Sequence, residues 1–96
     1  MIYKILFTKT AKKSIDTILE KIDIRYGRSV YNRVKLEIDK GITLIEYNPL
    51  IGRPFGLYKK FVLGKNIIFY KIEEKKAIIY IMYVFDCRQN WMSLLR

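Results

Sequence analysis

The spacing of hydrophobic residues changes near the middle of this 96-residue chain. In the first half they recur every three or four positions, the period of an α-helix with one apolar face. In the second half they form short apolar runs of the length expected for buried strands. This change predicts a pair of helices followed by a strand meander, and the length fits one domain over residues 1–96.

Two helices are predicted in the first half. Thr8 stands where an N-cap belongs, and Gly27 is a plausible C-cap of the same helix. A second helix should begin near residue 28 and end before Pro49, because the residue preceding proline avoids helical backbone. The two apolar stripes are Ala11, Ile15, Ile18, Leu19 and Ile22, and then Val30, Tyr31, Val34, Ile38, Ile42 and Ile45.

Strands are predicted on either side of the helices. Residues 2–7 alternate as a short first strand, and residues 49–56, with two prolines and two glycines, form a shaped loop. Three further strands are Leu57–Leu63, Ile67–Ile72 and Ala77–Phe85, joined by short turns. The order β-α-α-β-β-β predicts an α+β fold in which an antiparallel sheet packs on an N-terminal αα-hairpin.

The last predicted strand is apolar on both of its alternating faces. One face carries Ile79, Ile81, Tyr83 and Phe85, and the other carries Ile78, Tyr80, Met82 and Val84. Helices on one side of a sheet leave the second face open, and an open face is normally polar. We therefore expect this face to be covered by the C-terminal tail, a second copy or a partner protein.

The chain is strongly basic, with 19 Lys and Arg against 9 Asp and Glu and a net charge of +10. Such a charge suggests an anionic partner, which could be nucleic acid, an acidic protein or a membrane surface. The alternative is a soluble protein from a proteome rich in lysine. Basic residues of the second half alternate with aromatic ones, namely Arg53, Lys59, Lys60, Lys65, Lys71 and Arg88 with Tyr58, Phe61, Tyr70 and Tyr80. This pattern suits a phosphate backbone with stacked bases and suits an acidic amphipathic peptide equally well.

Composition also excludes several kinds of site. The chain has no histidine, which excludes Ser-His-Asp and Cys-His nucleophile systems. A single cysteine, Cys87, argues against structural zinc and against an internal disulfide, so neither metal nor cofactor is expected. The N-terminus is not a signal peptide, and the longest apolar run, Ala77 to Phe85, is too short to span a bilayer. We expect a cytoplasmic protein that is not inserted in a membrane.

Several segments together resemble a known superfamily. They are Phe7-Thr8-Lys9-Thr10-Ala11-Lys12-Lys13, Asn48-Pro49-Leu50-Ile51-Gly52-Arg53, Leu57-Tyr58-Lys59-Lys60-Phe61, Ile67-Ile68-Phe69-Tyr70-Lys71-Ile72 and the ending Ile79-Tyr80-Ile81-Met82-Tyr83-Val84-Phe85-Asp86-Cys87-Arg88-Gln89-Asn90. In this order they resemble the RelE/ParE superfamily of toxins from bacterial type II toxin–antitoxin systems. The resemblance covers nearly the whole chain, and its most specific part is the strand that leads into Asp-x-Arg-Gln-Asn.

The resemblance implies a growth-inhibiting, plasmid-stabilising toxin encoded beside its antitoxin. Such antitoxins wrap the toxin, so a hetero-oligomer with the antitoxin is expected and would cover the open face. The candidate antitoxin-binding residues are Tyr58, Tyr70, Tyr80 and Met82. Alternatively, Tyr70 and Tyr80 are core residues.

The superfamily has two main mechanisms. RelE-like members cleave mRNA on the ribosome without metal, and ParE-like members bind DNA gyrase and are not hydrolases. By the resemblance, Arg88, Lys59 and Lys60 would be catalytic if the chain is a metal-independent endoribonuclease. Ile67 or Ile68 stands where RelE-like toxins place another arginine, and Trp91 lies in a tail that lacks their tyrosine or histidine. The resemblance therefore favours the ParE-like branch, which is not enzymatic.

Candidate residues for binding the target or nucleic acid are Arg53, Lys59, Lys60, Lys71, Arg88 and Trp91. Structural roles are the alternatives: Arg88 as the partner of Asp86 or Glu73, Lys59 and Lys60 as guards of an edge strand, and Trp91 as an anchor of the tail. The sequence is also compatible with a third function, that of a basic RNA-binding module without toxicity.

Overall fold

A computed structural model describes residues 2–87 of the chain. The elements are β1 (Lys4–Phe7), α1 (Lys9–Tyr26), α2 (Arg28–Tyr47), β2 (Arg53–Phe55), β3 (Tyr58–Leu63), β4 (Asn66–Glu73) and β5 (Ile78–Asp86). The α+β class and the order of the predicted elements are confirmed. The loop 49–56 differs, because it contains the three-residue strand β2.

The five strands form one sheet in the order β1-β5-β4-β3-β2. The pairs β2–β3, β3–β4 and β4–β5 are antiparallel, as predicted for β3 to β5, but β1 runs parallel to β5. The sheet is therefore mixed and not wholly antiparallel. No short turn joins β1 to β5, so the turn geometry that makes the other pairs antiparallel does not constrain β1.

The two helices are joined by Gly27 alone. This residue has a φ of +90°, and its N–H donates to the Asp23 carbonyl as the C-cap of α1. Such a backbone conformation favours glycine, so the predicted C-cap is confirmed. The buried residues of both helices face the sheet and pack with Ile68, Tyr70, Ile79, Ile81 and Val84. At Gly41 of α2 the approach is closest, since a Cβ there would lie 2.9 Å from Ile68 Cδ1.

Thr8 caps α1 and also ties that helix to β5. Its Oγ1 accepts from the Ala11 N–H at 3.0 Å and donates toward the carbonyls of Ile81 and Met82 at 3.1 and 3.2 Å. The Thr8 N–H donates to the Ile81 carbonyl at 3.1 Å. The predicted N-cap is confirmed, and its contacts to β5 are an addition that the sequence does not reveal.

The contacts of Thr8 lie at a β-bulge in β5. Phe69 pairs with Tyr83 and Tyr70 pairs with Ile81, so Met82 is an extra residue in the ladder. The bulge reverses the alternation, and the predicted division of this strand is wrong beyond Ile81. Val84 enters the main core beneath the helices, whereas Tyr83 and Phe85 lie on the opposite face.

Replacing Thr8 by alanine should lower the free energy of unfolding by about 1–2 kcal/mol, because the first turn of α1 loses its side-chain acceptor. Thr8→Ser keeps the acceptor and should lose much less. Thr43 serves as a matched control, since it is exposed and its hydroxyl bonds only to Asp39 in its own helix. Urea denaturation measures all three variants. A Thr8→Ala value equal to that of Thr43→Ala would contradict the capping role.

Neither helix in residues 2–87 is long and apolar enough to cross a membrane.

Candidate functional site

The face of the sheet that points away from the helices carries a cluster of aromatic side chains. We call it the open face and define it by residues of β2 to β5: Arg53, Phe55, Tyr58, Lys60, Ile67, Phe69, Lys71, Tyr80, Tyr83 and Phe85. Phe69, Ile67 and Phe85 are buried at its centre. Phe55, Tyr58 and Tyr83 are half-buried and pack around them. The sequence does not identify four of these residues as part of a site, because their convergence depends on strand pairing: Phe55, Phe69, Tyr83 and Phe85.

The rings of the open face contact one another mainly edge to face. Phe69 has centroid distances of 5.4 Å to Phe55, 6.4 Å to Tyr58 and 5.9 Å to Phe85. Tyr83 meets Tyr58 edge-on at 5.9 Å and stacks on Phe85 at 5.6 Å with an interplanar angle of 14°. Such contacts restrict ring motion, so the half-buried rings form a firm platform for a planar or apolar group.

Cations surround this platform. Arg53 on β2 pairs directly with Lys60 on β3, so two positive side chains share neighbouring positions on one face. Lys60 Nζ lies 5.5 Å from the Phe55 ring centroid, and Lys71 Nζ lies 5.6 Å from that of Tyr58. Like charges directly opposite each other destabilise a sheet. Together these cations give the platform a positive rim that attracts anionic groups.

Lys59 and Lys60, predicted to act together, do not lie on the same face. Lys59 pairs with Tyr70, whose side chain is in the main core, and Lys60 pairs with Phe69 on the open face. Successive side chains of a strand point to opposite faces. The two lysines therefore cannot contact one phosphate on the open face, and of this pair only Lys60 belongs to the site.

Tyr70 is fully buried in the main core. Its assignment to an antitoxin-binding surface is therefore wrong, because it presents no surface to another chain. Tyr80 and Met82 are half-buried, and with Lys71, Leu57 and other residues they line a pocket of about 480 Å³ that extends from Thr8 to Leu57. Leu57 is 83% exposed and forms an apolar rim for this pocket.

The environment of Tyr83 changes its acidity. Burial, with the phenol of Tyr58 beside it, raises the pKa of Tyr83 above its ordinary value of 10.0. The Tyr83 phenol is therefore protonated at neutral pH and offers a hydroxyl group beside the cations.

Alkaline pH should destabilise the chain in part through Tyr83. In the folded state its pKa is raised, so the stability that it contributes is complete below about pH 10 and falls as the pH rises through the folded pKa. The free energy of unfolding, measured at pH 9 and pH 11, should fall less in Tyr83→Phe than in the wild type. Equal falls in the two proteins would contradict the raised pKa.

Two predicted site residues, Arg88 and Trp91, lie outside the described residues. Within residues 2–87, no group of three or more carboxylates or thiols comes close enough to hold a metal ion. The chemistry that the described part of the site offers is that of guanidinium, ammonium and phenol groups around an aromatic platform.

Comparison with known proteins identifies the family. The family model for the ParE toxin of the type II toxin–antitoxin system parDE matches residues 5–91. A comparison with curated protein sequences found no match.

The fold is similar to that of several solved structures. A chain of the chromosomal ParDE system from P. aeruginosa aligns with a TM-score of 0.76 and 14% identity over 88% of this chain and 96% of that chain. A chain of the RelBE2 toxin–antitoxin complex from Mycobacterium tuberculosis aligns with a TM-score of 0.67 and 16% identity over 90% of this chain and 99% of that chain. A mutant of E. coli RelE in the free state aligns with a TM-score of 0.64 and 16% identity over 98% of this chain and 93% of that chain. With a family model covering nearly all of its length, the chain belongs to the ParE family and is the toxin of a type II toxin–antitoxin system.

Proposed function

We propose that this toxin inhibits DNA gyrase. The observation that carries the proposal is the match of the ParE family model to residues 5–91. The ParDE structure also aligns with a higher TM-score, 0.76, than the two RelE-type structures, 0.67 and 0.64. Family membership decides against the third expectation, a basic module without toxicity.

The open face supports the proposal by its chemistry. Arg53 and Lys71 are exposed cations beside an aromatic platform, and no carboxylate within residues 2–87 forms an ion pair with either of them. Gyrase acts on DNA, whose phosphates attract such a surface and make its binding depend on salt. The same surface suits acidic patches of a protein, so both components of a gyrase–DNA complex fit it.

A cognate antitoxin is the second proposed partner. The neighbouring structures from M. tuberculosis and E. coli include toxin–antitoxin complexes. In this chain, Tyr58, Tyr80 and Met82 are half-buried around exposed Lys71, which suits an acidic segment with apolar side chains. We propose that this segment covers the open face and thereby blocks access to the target.

A supercoiling assay tests the target directly. Purified toxin should inhibit gyrase and increase the amount of cleaved DNA held by the enzyme, and antitoxin added first should prevent both effects. The matched arm uses the same toxin on translating ribosomes and examines the mRNA for cuts. Inhibited supercoiling with intact mRNA supports the proposal, whereas unaffected supercoiling at a large molar excess of toxin contradicts it.

The second candidate is a metal-independent ribonuclease of the RelE kind. The observation that favours it is the convergence of Lys60, Lys71 and Arg53 with the phenols of Tyr58 and Tyr83 on one face. Cations and a phenol are groups that can hold a phosphate and transfer a proton without histidine. Lys59 leaves the proposed catalytic set because it points to the other face, and Arg88 stays in it as a proposal. Cleavage of ribosome-bound mRNA that Lys60→Ala abolishes would establish this candidate.

A further inference from the structure

The strand that carries Arg53 is short, and its side-chain anchor, Phe55, lies at the end away from Arg53. β2 has three residues and, among the strands of residues 2–87, pairs with β3 alone. Its central residue, Pro54, lacks an N–H and contributes no donor to the ladder. At one end the strand is tied to β3 by the turn at Gly56, where φ is +59°. The other end, at Arg53, follows Gly52, whose backbone N–H is bonded to the core.

That attachment is the phenol of Tyr70. Its Oη donates to the Pro49 carbonyl at 2.7 Å and accepts from the Gly52 N–H at 2.9 Å. The Gly52 backbone and the Tyr70 side chain are both buried, so no water replaces these bonds at low cost. Burial raises the pKa of Tyr70, and the proton that it donates therefore stays bound at neutral pH.

The lack of a side chain at Gly52 is also needed for the phenol of Tyr70 to approach the loop. A Cβ on Gly52 would lie 2.7 Å from Tyr70 Oη, closer than a carbon and an oxygen can approach. Glycine therefore permits the hydrogen bond, and any side chain would push the phenol or the loop away. The start of the loop predicted over residues 49–56 is thus built around one tyrosine that is 18 residues distant from Gly52.

We propose that Tyr70 is the positioning residue that holds Arg53 opposite Lys60 on the open face, acting through the backbone of Gly52. The inference deepens the proposed function and rests on it, since Arg53 is assigned to target binding. Arg53 follows Gly52 directly and pairs with Lys60, a residue of the same charge. The pairing of Arg53 with Lys60 lies at the end of a three-residue strand, and the two bonds of Tyr70 fix the backbone just before it.

A double-mutant cycle on gyrase affinity tests whether Tyr70 acts through Arg53. Tyr70→Phe and Arg53→Ala should each weaken binding by about tenfold or more, the size expected for one lost bond to a charged group. The double variant should be no weaker than either single variant. In addition, both single variants should reduce the salt dependence of binding by a similar amount. Independent, additive losses would overturn the inference, because they would mean that Tyr70 acts elsewhere.

Two further variants distinguish loss of these hydrogen bonds from a general loss of stability. Tyr31→Phe removes a half-buried phenol from α2, away from the loop, and should leave affinity and salt dependence unchanged. Gly52→Ala keeps Tyr70 but displaces its hydroxyl, and it should reproduce the Tyr70→Phe result. A Gly52→Ala protein that binds like the wild type would contradict the inference.

NMR separates failure of this inference from failure of the gyrase proposal. Cross-strand NOEs between Arg53 and Lys60 should be present in the wild type and lost in Tyr70→Phe, while those between β4 and β5 remain. Loss of these NOEs in Tyr70→Phe supports the positioning role whether or not the wild type binds gyrase. A wild type that does not bind gyrase would refute only the proposed target. Retained NOEs in Tyr70→Phe overturn the positioning role whatever the target is.

Discussion

Reversing two charges on the open face, with Arg53→Glu and Lys71→Glu together, should weaken gyrase inhibition by about 100-fold or more. Both side chains are exposed beside the aromatic platform, and the change turns attraction for an anionic target into repulsion. Inhibition curves of supercoiling against toxin concentration measure the effect. Growth arrest on expression of the toxin without antitoxin should be lost in parallel.

The control for this prediction changes the net charge by the same amount elsewhere. Lys13→Glu with Lys35→Glu alters exposed residues of α1 and α2, which pack on the opposite face of the sheet. This protein should inhibit nearly as well as the wild type at physiological salt, since distant charges are screened within about 8 Å. If both double variants lost activity equally, net charge and not the open face would explain binding.

Phe69→Ala should be the most damaging single change to stability on the open face. Phe69 is fully buried, and its ring contacts those of Phe55, Tyr58 and Phe85. Removing a buried phenylalanine ring costs about 3–5 kcal/mol because the neighbours cannot fill the cavity. In a domain of this size that corresponds to a fall in Tm of about 12 °C or more. Scanning calorimetry or urea denaturation gives both quantities.

Val62→Ala is the matched control for Phe69→Ala. Val62 is on β3 and points to the same side of the sheet as Phe69, but it is 48% exposed, so its truncation leaves no closed cavity. Its loss should be below about 1 kcal/mol, because less apolar area returns to water. A Phe69→Ala protein as stable as Val62→Ala would show that the open face has no packed centre.

The helices and most strands could be predicted because their signals are local. The stripe of α1, the Thr8 cap and the Gly27 cap each depend on residues within a few positions of one another. The strand β2 could not be predicted, since three residues with a central proline give no periodic signal and depend on Tyr70 and β3 for support.

The composition of the open face depended on contacts between distant residues. The bulge at Met82 depends on pairing with β4 and on Thr8, which is 74 residues away, and it places Tyr83 and Phe85 on the open face. Tyr70 could not be assigned to the core from its strand alone, because both faces of β4 are apolar. The predictions for Arg88 and Trp91 remain predictions, since both lie outside the described residues.

Hydroxyl-radical footprinting of the toxin, alone and bound to its antitoxin, tests most directly whether the open face is the surface that the antitoxin blocks. Tyr58, Tyr80 and Tyr83 report on the open face, and Tyr47, at the end of α2, is 84% exposed and reports on the helical side. The account predicts that oxidation of the three open-face tyrosines falls at least severalfold on binding, while that of Tyr47 is unchanged. Protection of Tyr47 with undiminished oxidation of Tyr58, Tyr80 and Tyr83 would contradict it.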